Sequence, residues 1–186
     1  MSNSNLESNT VFLSYRPSDT GGEAGRLADT FQQKLGGWLT FRDVSSIPLG
    51  EQFPWVLQSE LAAAKTMLVL IGPEWLVELR RRLAQSDVDY VRLEISTALA
   101  TRKRIIPILL KGAAQPTVQD LSEDIGSLAK YQAMTLRDES WSQDVDRLID
   151  AIGRPYPWKN VALCALATLL PNFRCSPLSG WHHHYR

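Results

Sequence analysis

The sequence predicts an α/β fold, a three-layer sandwich whose five-stranded parallel sheet carries helices on both faces. Three observations predict it. Short, β-prone apolar runs alternate with amphipathic helical stretches about five times along the chain, the pattern of strand–helix–strand units. One run, Met67-Leu-Val-Leu-Ile71, is apolar without interruption, as a central parallel strand covered on both faces must be. The 186 residues are 44% hydrophobic and 22% charged, which suits one globular domain with a full core and a short appendage.

Residues 1–9 are polar and Asn/Ser-rich, without a basic start or an apolar stretch, and read as a disordered lead rather than a signal peptide. Val11-Phe-Leu-Ser-Tyr15 is the first strand. Arg16 to Gly22 is expected to be a loop from its Pro and Gly content. From Glu23 to Leu35, Ala24, Leu27, Ala28, Phe31 and Leu35 recur at helical spacing, and Gly36-Gly37 ends the helix. Trp38 to Phe41 is the second strand, Arg42 to Gln52 a loop, and Phe53 to Lys65 a helix with Val56, Leu57, Leu61 and Ala64 inward. The central strand stops at Gly72-Pro73. The Glu74 to Gln85 helix follows, its Arg80-Arg-Arg82 run a solvated face. Asp89 to Ala100 is helical with Val91, Ile95, Ala98 and Leu99 inward. Arg104 to Leu110 is the fourth strand, and its Pro107 suggests an edge or a bulge. Lys111 to Leu128 is irregular, with weak helix over Val118 to Ile125. Tyr131 to Leu136 is a short fifth strand and Trp141 to Ile152 a last amphipathic helix.

The domain is therefore expected over 10–153, with 154–186 a linker, a short apolar segment and an irregular tail. The Trp158 to Leu170 segment is shorter than the roughly 20 apolar residues that span a bilayer. It reads as a packing or interfacial helix, with a truncated membrane anchor as the less favoured alternative.

Composition excludes several chemistries. Lys+Arg and Asp+Glu are both 20, so bulk electrostatics gives no reason to expect a nucleic-acid partner. Cys164, Cys175 and His182 to His184 are the only cysteines and histidines. Residues 1–163 thus cannot host a Ser-His-Asp or Cys-His nucleophile, or a zinc site built on Cys or His. No disulfide framework is present, which fits a reducing, cytoplasmic setting. Any chemistry falls to carboxylates, hydroxyls, Arg/Lys or backbone groups. In such sheets these gather beyond the carboxyl ends of the strands, where the strand order reverses.

Five segments in order resemble the TIR (Toll/interleukin-1 receptor-like) family, bacterial type. They are Val11 to Asp19, Phe41 to Val44 with Ile47-Pro-Leu-Gly50, Met67 to Trp75, Asp89-Tyr-Val-Arg-Leu-Glu94, and Arg104 to Ile108. The likeness covers about Thr10 to Ile152. It implies a flavodoxin-like fold, and either of two functions: NAD⁺ cleavage to nicotinamide and ADP-ribose or a cyclic product, or association without chemistry as a scaffold. Enzymatic members rely on the glutamate of the Asp-aromatic-Val-x-x-Glu segment, here Glu94. Tyr90 stands where Trp is common.

The nicotinamide leaving group is already cationic, so no general acid is needed. A single carboxylate can stabilise an oxocarbenium-like ribose and hold a ribose hydroxyl. NAD⁺ is then a substrate, with no cofactor and no metal. Tyr90, one helical turn before Glu94, is placed to stack on the nicotinamide or ribose. By resemblance Arg16 meets the pyrophosphate, with amides near Gly21-Gly22. Phe41, Asp43 and Ser45 contact the nicotinamide end, and Trp75 is a further candidate contact. Ile47, Pro48 and Leu49 form a patch for homotypic self-association. The reading is an NAD⁺ glycohydrolase activated by self-association in bacterial defence or effector signalling. The alternative is a non-enzymatic TIR scaffold. A flavodoxin-like flavin binder is disfavoured, because Arg16-Pro-Ser-Asp19 is not the usual Ser/Thr/Gly-rich phosphate loop.

Overall fold

A computed structural model of the chain describes residues 9–35, 39–42 and 61–153. The chain divides into two compact units, Met1–Ile152 and Gly153–Arg186. The first holds the whole sheet. The 154–186 linker and apolar segment lie outside the described residues, as does most of the expected 53–65 helix.

The five strands are β1 (Asn9–Ser14), β2 (Leu39–Arg42), β3 (Thr66–Ile71), β4 (Arg104–Leu109) and β5 (Met134–Thr135). All are parallel, in the order β2-β1-β3-β4-β5. That is the flavodoxin-like order, with the reversal between β1 and β3. The helices whose full span is described are α1 (Pro17–Leu35), α2 (Trp75–Gln85), α3 (Tyr90–Ala100) and α4 (Trp141–Ile152), with short 3-10 turns at Val118–Asp120, Gly126–Lys130 and Asp138–Ser140.

Strand alternation divides the interior in two. Val11 and Leu13 of β1, Leu68 and Leu70 of β3 and Ile108 of β4 face α1 and α4, meeting Leu27, Phe31, Val145, Leu148 and Ile149. Phe12, Met67, Val69, Ile71 and Ile105 face the other way, toward Trp75 and Leu79 of α2 and Val91, Ile95 and Ala98 of α3. Every residue of β3 is buried, as expected of its unbroken apolar run.

The structure corrects four expectations. Arg16 to Gly22 is not wholly a loop: a helical turn begins at Pro17, the chain kinks at Thr20, whose dihedrals are non-helical, and the long part of α1 runs on from Gly21, two residues before the expected start. Pro is pre-set for the first turn of a helix, and Asp19 there complements the helix dipole. Pro107 is not on an edge strand, because β4 lies between β3 and β5. However, β5 pairs only with Ile108 and Leu109, so at Pro107 the strand has a neighbour only in β3, and the missing N–H is tolerated. The fifth strand shrinks to two residues, and the weak 118–125 helix to one 3-10 turn at Val118–Asp120.

Candidate functional site

A cavity of about 360 Å³ opens where β1 ends, beside the reversal in strand order. Leu13, Tyr15, Arg16, Pro17 and Ser18 line it from the β1–α1 junction, Glu78 and Arg82 from α2, and Asp89, Tyr90, Val91 and Glu94 from α3.

Glu94 reaches it through two simple periodicities. Val91, Glu94, Ile95 and Ala98 share the inner face of α3, so a carboxylate sits among apolar residues and is only 1% exposed. Along β1, Phe12 faces the α2–α3 side, and Ser14, two residues on, shares that side. Ser14 is fully buried, and its Oγ donates to Glu94 Oε2 at 2.6 Å, the length expected of a hydroxyl donating to a carboxylate. A charge taken out of water without a partner costs several kcal/mol, and this bond offsets part of that cost.

The start of α3 is fixed separately. Asp89 is its N-cap, accepting from Arg92 N at 3.3 Å. The same carboxylate takes a two-pronged ion pair from Arg16, Nη1 to Oδ1 at 3.2 Å and Nη2 to Oδ2 at 2.7 Å. The Arg16 guanidinium also lies 5.6 Å from the centroid of the Trp75 ring, within cation–π range.

The site residues predicted from the sequence fall into distinct places. Glu94, Tyr90 and Arg16 share the cavity wall. Tyr90 is 40% exposed at the first turn of α3. Arg16 is buried and engaged with Asp89, so its charge is answered by the protein itself. Trp75 is fully buried beneath Arg16 rather than on the cavity wall. Gly21 and Gly22 are the first residues of α1 after its kink at Thr20. Phe41 is in β2. Asp43, Ser45, Ile47, Pro48 and Leu49 are outside the described residues.

Sequence reasoning passed over Ser14, Asp89, Glu78 and Arg82 as site residues. Glu78 accepts from Arg81 Nη2 at 2.8 Å and Arg82 Nε at 2.7 Å, and these hydrogen bonds hold its carboxyl down to about 2. Arg81 and Arg82 are thus answered within their own helix, and Arg80 pairs with Asp120 at 2.6 Å. Among the described residues, no group of three or more His, Cys, Asp or Glu is placed to hold a metal ion, and no helix is long and apolar enough to cross a membrane.

A sequence profile of the TIR domain family matches residues 11–149. A Drosophila melanogaster protein named NAD(+) hydrolase sarm1 is 32% identical over 146 residues, covering 77% of this chain and 10% of that protein. The Danio rerio NAD(+) hydrolase SARM1 is 26% identical over 139 residues, covering 75% and 19%. The chain thus spans a tenth to a fifth of these relatives. Among solved structures, the TIR domains of the activated Roq1 resistosome superpose with a TM-score of 0.59 at 12% identity, over 78% of this chain and 99% of theirs. A prokaryotic SEFIR domain gives 0.56 at 16% identity, over 90% and 100%. These two likenesses concern the fold.

Proposed function

The chain belongs to the TIR domain family, and from that premise we propose that it is an NAD⁺ glycohydrolase, cleaving the nicotinamide–ribose bond to give nicotinamide and ADP-ribose or a cyclic form. The observation that carries this reading is Glu94. It is a carboxylate 1% exposed, on the wall of a cavity large enough for a small ligand, one helical turn from the half-open ring of Tyr90. Two relatives named as NAD(+) hydrolases support it.

Each residue then has a task. Glu94 stabilises positive charge developing on the ribose and holds a ribose hydroxyl; an electrostatic contact of this kind, in a site screened from water, is worth far more than in solution. Tyr90 stacks on the nicotinamide or ribose. Arg16, already paired to Asp89, lends the cavity mouth a donor edge rather than an unanswered charge. Phe41, Asp43 and Ser45 follow the β2 exit and contact the nicotinamide end. Copies associate through Ile47, Pro48 and Leu49, and association raises activity.

The test is to incubate purified protein with NAD⁺, dilute and then artificially clustered, and follow free nicotinamide. Release by wild type is expected, with at least roughly a 10²-fold loss, about 3 kcal/mol, in Glu94→Gln. An unchanged rate in Glu94→Gln removes the catalytic assignment. No release under any condition leaves a TIR scaffold that acts by binding other TIR domains.

A further inference from the structure

We propose that Ser14 is the positioning residue of this site, its hydroxyl holding Glu94 in the orientation that meets the substrate. The inference rests on the reading of Glu94 as the reacting carboxylate.

Ser14 is the one residue of Val11-Phe-Leu-Ser14 that is not apolar, and it is as deeply buried as its neighbours. A hydroxyl in that position is unfavourable unless bonded. Its bond goes to Glu94 Oε2, 80 residues away in sequence, at 2.6 Å. A glutamate side chain has three rotatable bonds, and on an inner helix face it is held by what it touches. β1 lies in the sheet interior between β2 and β3, so Ser14 gives Glu94 a rigid anchor. α3, held at its start by Asp89 and Arg16, fixes the other end of the side chain. A reacting group displaced by about 1 Å loses on the order of 10²-fold in rate. The oxygen that Ser14 holds therefore sets where the carboxylate points, while Ser14 itself need touch no substrate.

The experiment compares Ser14→Ala, Ser14→Cys and Ser14→Thr with wild type in the full chain, clustered, on NAD⁺. Ser14→Ala removes one oxygen and is expected to fold. Its kcat is expected to fall roughly 10- to 100-fold with KM within about threefold. Ser14→Thr keeps the donor and suits a strand, and is expected to restore most of kcat. If its added methyl prevents folding, Ser14→Cys, nearly isosteric with a weak S–H donor, is expected to fall between serine and alanine. A purely structural serine would lower the melting temperature without this order in kcat. Retention of kcat in Ser14→Ala, a loss confined to KM, or a folded Ser14→Thr as slow as alanine overturns the proposal. Glu94→Gln separates the two readings. If it still turns over, the catalytic assignment has failed. If it is dead while Ser14→Ala runs at the wild-type rate, only the role of Ser14 has failed.

Discussion

Arg16 and Asp89 are 73 residues apart in sequence and meet as a two-pronged ion pair whose side chains are 5% and 2% exposed. The pair joins the end of β1 to the cap of the helix that carries Tyr90 and Glu94. Two features of the site, the strand exit and the helix start, are thereby held in one register. Removing one partner of a buried pair leaves the other charge unanswered, which costs about 3–5 kcal/mol. Arg16→Met and Asp89→Asn are each expected to destabilise by that order in urea unfolding, and the double variant by less than the sum. Additive single effects would show that the two charges do not depend on each other. Arg16→Lys is not expected to rescue, because an ammonium cannot supply the two-pronged geometry.

Much of this was legible beforehand. The Asp-Tyr-Val-Arg-Leu-Glu94 segment points to Glu94 and Tyr90, and the alternation of elements points to a parallel sheet covered on both faces, while the flavodoxin-like order is what the resemblance implies. The pyrophosphate role of Arg16 is what the resemblance implies; the sequence displays its charge but not the buried Asp89 that pairs with it. Ser14 was read as part of a fold marker. Its role needs two periodicities taken together, the strand parity it shares with Phe12 and the helix face Glu94 shares with Val91 and Ile95. The single turn before the kink at Thr20 is hidden because Pro17, Gly21 and Gly22 signal a loop locally, whereas Pro fits a first helical turn.

Tyr90 lines the cavity at the exposed end of its wall, so its replacement should affect binding more than folding. Tyr90→Phe keeps the ring and is expected to stay within about threefold of wild type, whereas Tyr90→Ala loses a stacking surface worth roughly 0.5–1.5 kcal/mol beyond area. Steady-state kinetics on NAD⁺ is the check. Equal kinetics for Ala and Phe would place the substrate elsewhere in the cavity.

Gly72, just after β3, carries a close approach. A Cβ there would overlap the carboxylate of Asp19, which is buried in the first turn of α1. Gly72→Ala is expected to destabilise by about 1–3 kcal/mol through overpacking. Asp19→Ser in the same chain is expected to recover part of that loss, since it shortens the group in the way. Thermal melts of wild type and the two variants decide it, and no recovery would mean that the strain lies in the backbone.

Leu49 lies outside the described residues, and its part is proposed from sequence. An aspartate in an apolar contact leaves a charge buried and unpaired, at a cost of several kcal/mol. Leu49→Asp is expected to shift the protein toward monomer and lower NAD⁺ cleavage together, as sedimentation and nicotinamide release across protein concentration would show. A variant that assembles normally yet is inactive would put the residue in the pocket, and one that is monomeric yet fully active would sever activity from association.

Acid stability should turn on Asp144, on the far side of the sheet from the cavity. Its buried carboxylate receives Arg137 Nη2 at 3.1 Å and Nε at 3.1 Å, Ser140 Oγ at 2.7 Å and the Arg137 amide at 3.2 Å. Hydrogen bonding by the Arg137 side chain is the largest influence, and despite burial it holds Asp144 well below the ordinary carboxylate value of 3.8. A group whose folded value is depressed contributes stability that is fully present above its unfolded value. That contribution fades as the pH falls below about 4, because the unfolded chain then binds a proton that the folded one resists. Asp144→Asn is therefore expected to be less stable than wild type at pH 7, with the gap narrowing steadily from pH 4 downward. Chemical denaturation at a series of pH values measures the gap directly. A gap that stays constant to pH 2 would mean that the variant suffers from lost packing or amide geometry rather than from the loss of a bound charge.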